Sequence, residues 1–152
     1  MKGLVIFALF LLGFATNTFA QSDEESAIKK TINNLFTGMR GGDSTLTRTA
    51  FAPAAIMQTI VNKEGKVNVR TESINNFIKF IGTPHQEKYY ERIVFTKILI
   101  DGPLASVWTD YKFYLGEKFS HCGVNSFQLV KGDKGWQIVY IIDTRRKDKC
   151  NE

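Results

Sequence analysis

The segment FSHCGVNSFQLV, Phe119 to Val130, has the aromatic and β-branched content of a strand, yet one end carries a histidine, a cysteine, a glycine and an asparagine. These are poor core fillers and useful chemical groups. An unperturbed histidine titrates near pH 6.5, so His121 could give or take a proton at neutral pH. Asp110, on the preceding strand-like segment, is its nearest prospective partner. A carboxylate beside aromatic rings has its pKa raised by desolvation, and such a pair is the equipment of an isomerase, dehydratase or cyclase. The alternative is a satisfied polar pair at a sheet end. Trp108, Asn125 and Tyr140 suit binding better than catalysis, since Trp and Tyr combine a large contact area with one hydrogen-bonding group each. Cys122 adjoins His121, but neighbours on a strand point to opposite faces, which argues against a Cys–His dyad. No CxxC or histidine-rich spacing suggests a metal, and no cofactor is implied.

Two-residue turns at Gly116-Glu117 and Asp133-Lys134 set an expected register for the strands that carry these groups. Asp110 then faces Gly123, Trp108 faces Asn125, Lys112 faces His121, and Phe127 faces Tyr140. One sheet face would carry Trp108, Asp110, His121, Asn125, Phe127 and Tyr140: apolar near the second turn and polar at the far end. That gradient suits a ligand pocket with an apolar floor and a few converging polar groups. Gly123 would mark a bulge or leave room for the ligand. The other face would carry Tyr111, Phe113, Cys122, Ile141, Asp143 and Arg145. It is too apolar for a plain solvent surface and suits a dimer contact. A slip of one residue would exchange the faces.

The elements that must position these residues follow from patterning. Asp23 to Arg40 reads as a helix capped by Ser22 or Asp23, with Ala27, Ile28, Ile32, Leu35, Phe36 and Met39 on one face. A short helix from Ser44 to Phe51 is stopped by Pro53. Ala55 to Val61 and Lys66 to Arg70 form a hairpin. Thr71 caps a third helix with Ile74, Phe77, Ile78 and Ile81 on its buried face. His85 falls in an exposed loop. Four strands follow: Tyr89–Asp101, Leu104–Leu115, Lys118–Val130 and Trp136–Thr144. Helices first and a long antiparallel meander last make an α+β domain.

At the N-terminus, Lys2, the apolar run Leu4 to Phe14 and the small residues of Thr18-Phe19-Ala20 read as a secretory signal peptide cleaved after Ala20. Residues 21–152 then form one domain in a secreted or periplasmic protein, with no membrane attachment after cleavage. The full chain has 20 Lys and Arg against 15 Asp and Glu, and loss of Lys2 leaves 19 against 15. The basic residues are scattered and form no nucleic-acid-binding stripe.

An oxidising compartment permits a disulfide between Cys122 and Cys150. In the register above Cys122 faces Arg145, five residues before Cys150. A straight continuation would separate the cysteines by roughly 16 Å, against the roughly 7 Å between Cα atoms that a disulfide tolerates. The tail must therefore turn back, with Asp148 able to start the turn. The expectation is an intrachain bridge, with an intermolecular one as the alternative.

The segments MQTIVNKEGKVNVRTESINNFIKFIGTPH and SHCGVNSFQLVKGDKGWQIVYIIDTRR resemble the lumazine-binding-like branch of the nuclear transport factor 2 superfamily, found as secreted or periplasmic bacterial proteins. The resemblance implies a cone-shaped, curved antiparallel sheet wrapped around N-terminal helices, a cystatin-like roll, enclosing a pocket for a small apolar or aromatic molecule. It also implies a homodimer formed through the outer sheet face. Superfamily members include isomerases, dehydratases and non-catalytic binders, so the fold leaves three functions open. They are a binder, an enzyme using His121 and Asp110, and a dimeric interaction module.

Overall fold

The computed structural model describes residues 16–151, with side chains from residue 21 onward. Apart from the backbone of 16–20, the expected signal peptide lies outside the described residues. The first helix, α1 (Thr16–Gly41), runs through the expected cap at Ser22 and Asp23, both of which lie inside it. Ile28, Ile32, Leu35 and Met39 recur at helical spacing and are buried, whereas Ala27 faces solvent. Asp43 caps α2 (Ser44–Thr49), its Oδ1 accepting from the Leu46 amide at 2.8 Å. Phe51 does not end that helix; it opens β1 (Phe51–Lys63). Pro53 sits within β1, where the register against the neighbouring strand shifts between Phe51 and Ile56. A proline has no amide hydrogen for the ladder, which accounts for its place at an irregularity.

The hairpin closes on β2 (Lys66–Glu72), and Ser73 rather than Thr71 caps α3 (Ile74–Ile81). The meander follows as β3 (Tyr89–Asp101), β4 (Leu104–Leu115), β5 (Lys118–Gly132) and β6 (Gly135–Thr144). All six strands form one curved open sheet in the order β2-β1-β6-β5-β4-β3. Every junction is antiparallel except that of β1 with β6, which is parallel. This α+β arrangement agrees with expectation except for that one parallel pair. The core lies between the sheet and α1: Ile28, Ile32 and Leu35 pack with Val107, Phe127, Leu129 and Ile138.

Two irregularities decide which side chains face that core. Tyr114 pairs with Phe119 but Phe113 pairs with His121, so Ser120 is an extra residue on β5. Gln128 pairs with Tyr140 but Leu129 pairs with Ile138, so Val139 is an extra residue on β6. Both are bulges of one residue, and each inverts the facing of everything beyond it relative to the partner strand. Asp110 accordingly faces Val124, Trp108 faces Ser126 and Phe127 faces Ile141, correcting the expected pairings.

Gly123 also has a different role from either expected one. A Cβ there would lie 1.8 Å from the Thr144 carbonyl oxygen and 2.8 Å from Tyr111 Cε1. Only glycine allows the end of β6 to cross β5 this closely. Beyond it, Cys122 and Arg146 exchange two backbone hydrogen bonds of 2.9 Å. The tail then turns back at Lys149, whose φ is 50°, with Arg146 Nε donating to the Lys149 carbonyl at 3.0 Å. The turn brings the Cα atoms of Cys122 and Cys150 to 5.8 Å, and the two are joined by a disulfide.

Candidate functional site

Between α1, α3 and the inner sheet face lies a cavity of about 510 Å³. Its apolar end is built from Leu35, Phe36 and Met39 of α1, Phe77 of α3, Met57 of β1 and Ile141 of β6. Its polar wall comes from the sheet. Glu91, Tyr111, Asn125, Asp143 and Arg145 project from four strands, and His121 stands at the same end.

The polar wall is a chain of hydrogen bonds. Asn125 Nδ2 donates to Glu91 Oε1 at 2.8 Å and lies 3.4 Å from Thr109 Oγ1. The Tyr111 hydroxyl lies 2.8 Å from the Thr144 carbonyl and 3.1 Å from Asp143 Oδ2. Arg145 Nε donates to the same Asp143 oxygen at 2.9 Å, and Nη2 donates to Thr59 Oγ1 at 3.2 Å. Arg70 Nε pairs with Glu72 at 2.7 Å on β2. No buried side-chain nitrogen or oxygen among the described residues lacks a partner, as a packed polar network requires.

These contacts set the ionisation states. Desolvation pushes the Glu91 carboxyl up to about 7; the Asp143 charge adds to this, while the Asn125 hydrogen bond and Arg145 oppose it. Desolvation, with the negative charges of Asp143 and Glu91, holds Tyr111 far above the usual phenol range. Desolvation and then the Arg145 charge push His121 below the usual imidazole value, so it is neutral at pH 7. Burial works against the Arg145 charge, but its ion pair with Asp143 outweighs this and raises its pKa.

The Glu91 shift has a consequence for stability. The unfolded carboxyl titrates near 4.5 and the folded one at about 7, so the folded protein binds the extra proton between those values. Ionisation therefore costs the fold progressively as pH rises from about 4.5 to 7, and the whole cost is present above 7. At 1.36 kcal/mol per unit this is on the order of 3 kcal/mol. Glu91→Gln is expected to stabilise the protein by up to about that amount at pH 8 and little at pH 4. Urea unfolding at the two pH values checks it, and equal effects at both would refute the buried-carboxyl assignment.

Of the residues expected to form the site, the structure brings His121 and Asn125 to the cavity and leaves the others outside. Trp108 is on the outer face and 49% exposed. Asp110 shares that face, pairing with Val94 and Val124, and therefore points away from His121. The expected acid–base pair is not assembled. Tyr140 is also on the outer face, where its hydroxyl donates to Gln58 Oε1 at 2.7 Å. His85 is half-buried rather than free in a loop: its ring lies 4.6 Å from both Phe80 and Tyr89, and Nε2 is 2.8 Å from the Phe80 carbonyl. Asp143 and Arg145, expected on a face suited to a dimer contact, instead line the cavity and pair with each other.

Glu91 and Tyr111 are the groups that reading the sequence overlooked. A signal for Glu91 was present. On β3 the residues Tyr89, Ile93 and Phe95 alternate on one face, and Glu91 occupies the fourth position of that apolar series. A lone carboxylate at an apolar parity is an inward-facing charge.

A family model described as "Putative lumazine-binding" matches residues 23–141. A search of curated proteins found no match. Among solved structures, an NTF2-like protein of unknown function from Shewanella baltica superposes with a TM-score of 0.66 at 21% identity, covering 84% of this chain and 97% of that one. An NTF2-like protein with a cystatin-like fold from Novosphingobium aromaticivorans gives 0.68 at 9% identity, covering 88% and 92%. A domain of unknown function with a cystatin-like fold from Nostoc punctiforme gives 0.65 at 18% identity, covering 84% and 80%. The structural likeness establishes the fold. The family match over more than three quarters of the residues establishes the lineage: this chain belongs to the "Putative lumazine-binding" family, on a fold shared with NTF2-like proteins.

Proposed function

We propose that this protein binds a small aromatic or cyclic molecule in the cavity between α1, α3 and the sheet, and does so without catalysis. The observation that carries the reading is the cavity itself: about 510 Å³, apolar at the helix end and polar at the sheet end. That volume and gradient match ligand pockets generally. The family description supplies a first probe, lumazine, a planar fused heterocycle. Against an isomerase or dehydratase using His121 and Asp110 stands their placement on opposite sheet faces. Thermal-shift screening of planar heterocycles, lumazine included, is expected to find a binder that raises the melting temperature. Met57→Trp, which puts an indole ring into the cavity, should weaken that shift; a shift wholly unchanged by it would overturn the reading.

The reading includes a secreted or periplasmic location after cleavage behind Ala20. Amino-terminal sequencing of the exported protein should begin at Gln21, and a retained Met1 would refute it. It also includes a homodimer, which the outer sheet face supports. Trp108, Val94, Leu99, Leu104 and Val130 are exposed there on adjacent strands β3, β4 and β5, and a cluster of exposed large apolar side chains is a feature of association sites. A monomer in sedimentation at micromolar concentration would count against both the dimer and an interaction role for this face.

A further inference from the structure

The residues lining the cavity include three carboxylates, Glu72, Glu91 and Asp143, and two guanidiniums, Arg70 and Arg145. The guanidiniums are already matched: Arg70 with Glu72 and Arg145 with Asp143. No ion pair among the described residues includes Glu91. Its one hydrogen bond comes from a neutral amide, that of Asn125. Glu91 is half-buried, and a carboxylate drawn out of water without a counter-charge is costly and is normally paired.

Among the described residues, the cavity lining offers Glu91 no other cation. On β4 its cross-strand partner is Phe113, with Tyr111 diagonal to it; β5 contributes Asn125 and neutral His121, and the end of β6 contributes Asp143 and, just beyond it, the already paired Arg145. Lys147 in the tail acts on His121. On its own strand the neighbouring inward residue is Tyr89, and β1 and β2 supply Thr59 and the Arg70–Glu72 pair. The helices contribute Asn76 and apolar side chains to the lining, and no charge.

The apolar part of the lining combines aliphatic side chains with six aromatic ones. Phe36, Phe77, Phe80, Tyr89, Tyr111 and Phe113 all reach the cavity. Tyr89 and Phe113 stack with centroids 6.2 Å apart and planes at 15°. Aromatic faces attract cations, and more strongly when water is excluded. Aromatic side chains in the same cavity as one carboxylate outside any ion pair are complementary to a positively charged organic group.

We infer that the cavity selects an organic cation, an aromatic or cyclic molecule whose ammonium or protonated ring nitrogen pairs with Glu91 while its apolar body rests on the aromatic wall. This rests on the proposal that the cavity is a binding site, and adds the charge of the ligand. Binding converts Glu91 to its ionised form, so below neutral pH it releases a proton. Affinity is therefore highest above the Glu91 transition at about 7 and falls as pH drops through it.

The probes are benzyltrimethylammonium and its uncharged isostere with carbon in place of nitrogen, measured by calorimetry on the disulfide-bonded protein. The cation is expected to bind at least about tenfold more tightly than the isostere at pH 8. Between pH 8 and pH 6 its affinity should fall about tenfold, following the ionised fraction of Glu91, while the isostere's stays level. In Glu91→Gln, confirmed folded by its thermal transition, the cation's advantage should shrink below about threefold. Equal or tighter binding of the isostere in the unmodified protein overturns the inference and leaves the binding reading standing. Cation selectivity that persists in Glu91→Gln overturns the role of Glu91. If neither probe binds at any pH, the inference falls, and the binding reading is then judged by the heterocycle screen alone.

Discussion

Replacing Phe127 by alanine is expected to lower the unfolding free energy by about 3 to 5 kcal/mol. Phe127 is wholly inaccessible to solvent and sits on β5 at the centre of the sheet. Its ring meets that of Phe36 on α1 edge-to-face, with centroids 6.3 Å apart and planes at 83°. It is one of the side chains through which the first helix packs on the sheet, and its neighbours Ile28, Ile32, Leu129 and Ile138 are equally buried. Truncation removes the transfer energy of the ring and leaves a void that backbone from six strands and a helix cannot close. For a domain of this size the midpoint of thermal unfolding should fall by about 10 to 15 °C. A loss below about 1 kcal/mol would mean that α1 is anchored elsewhere. Phe127→Leu, which keeps most of the volume, should recover more than half of the loss.

The second large effect is expected from the disulfide. Cys122 and Cys150 are 28 residues apart and bonded. Closing a loop of that length restricts the unfolded chain by about 3 to 4 kcal/mol in the chain-entropy account. The double variant Cys122→Ala, Cys150→Ser should be destabilised by about that amount. Reduction of the native protein should do the same and leave the variant unaffected. The loss includes a local component, because the bridge holds the tail in register where Cys122 and Arg146 exchange backbone hydrogen bonds. Those bonds stand next to His121 and Arg145, so the polar end of the cavity should show faster amide exchange once the bridge is cut. Two free thiols per chain on labelling without reductant would refute the bridge. A covalent dimer on a non-reducing gel would replace it with an intermolecular one.

The element order of this protein was legible in its residues, and the reason is local. Turn chemistry at Gly116-Glu117 and at Asp133-Lys134 bounded β4, β5 and β6 within two residues. Helical spacing marked Ile28, Ile32, Leu35 and Met39 before any packing was known. On β5 the alternation from His121 to Leu129 marked the inner face, because side-chain parity within an unbroken strand needs no partner, whereas Phe119, at the same parity, lies beyond the Ser120 bulge and pairs with outward-facing Tyr114. The count of two cysteines left one intrachain pairing, and the tail's turn completes it.

Only the tertiary structure decided which residues of β4 and β6 meet that face. The answer depended on the extra residues Ser120 and Val139. One unpaired residue carries no compositional mark; it is settled by how the strands bend to pack across the sheet. At Gly123 that packing is explicit, since the Thr144 carbonyl occupies the place of a missing side chain. The consequence for the site was large. Trp108, Asp110 and Tyr140 went to the outside, while Tyr111, Ile141, Asp143 and Arg145 came in. Glu91 became a site residue only when β3 was laid against β4 and Asn125 was brought to 2.8 Å from it across 34 residues of chain. A side chain's type and parity are properties of its own segment, whereas its burial, its partner and its charge state belong to whatever the fold sets opposite it.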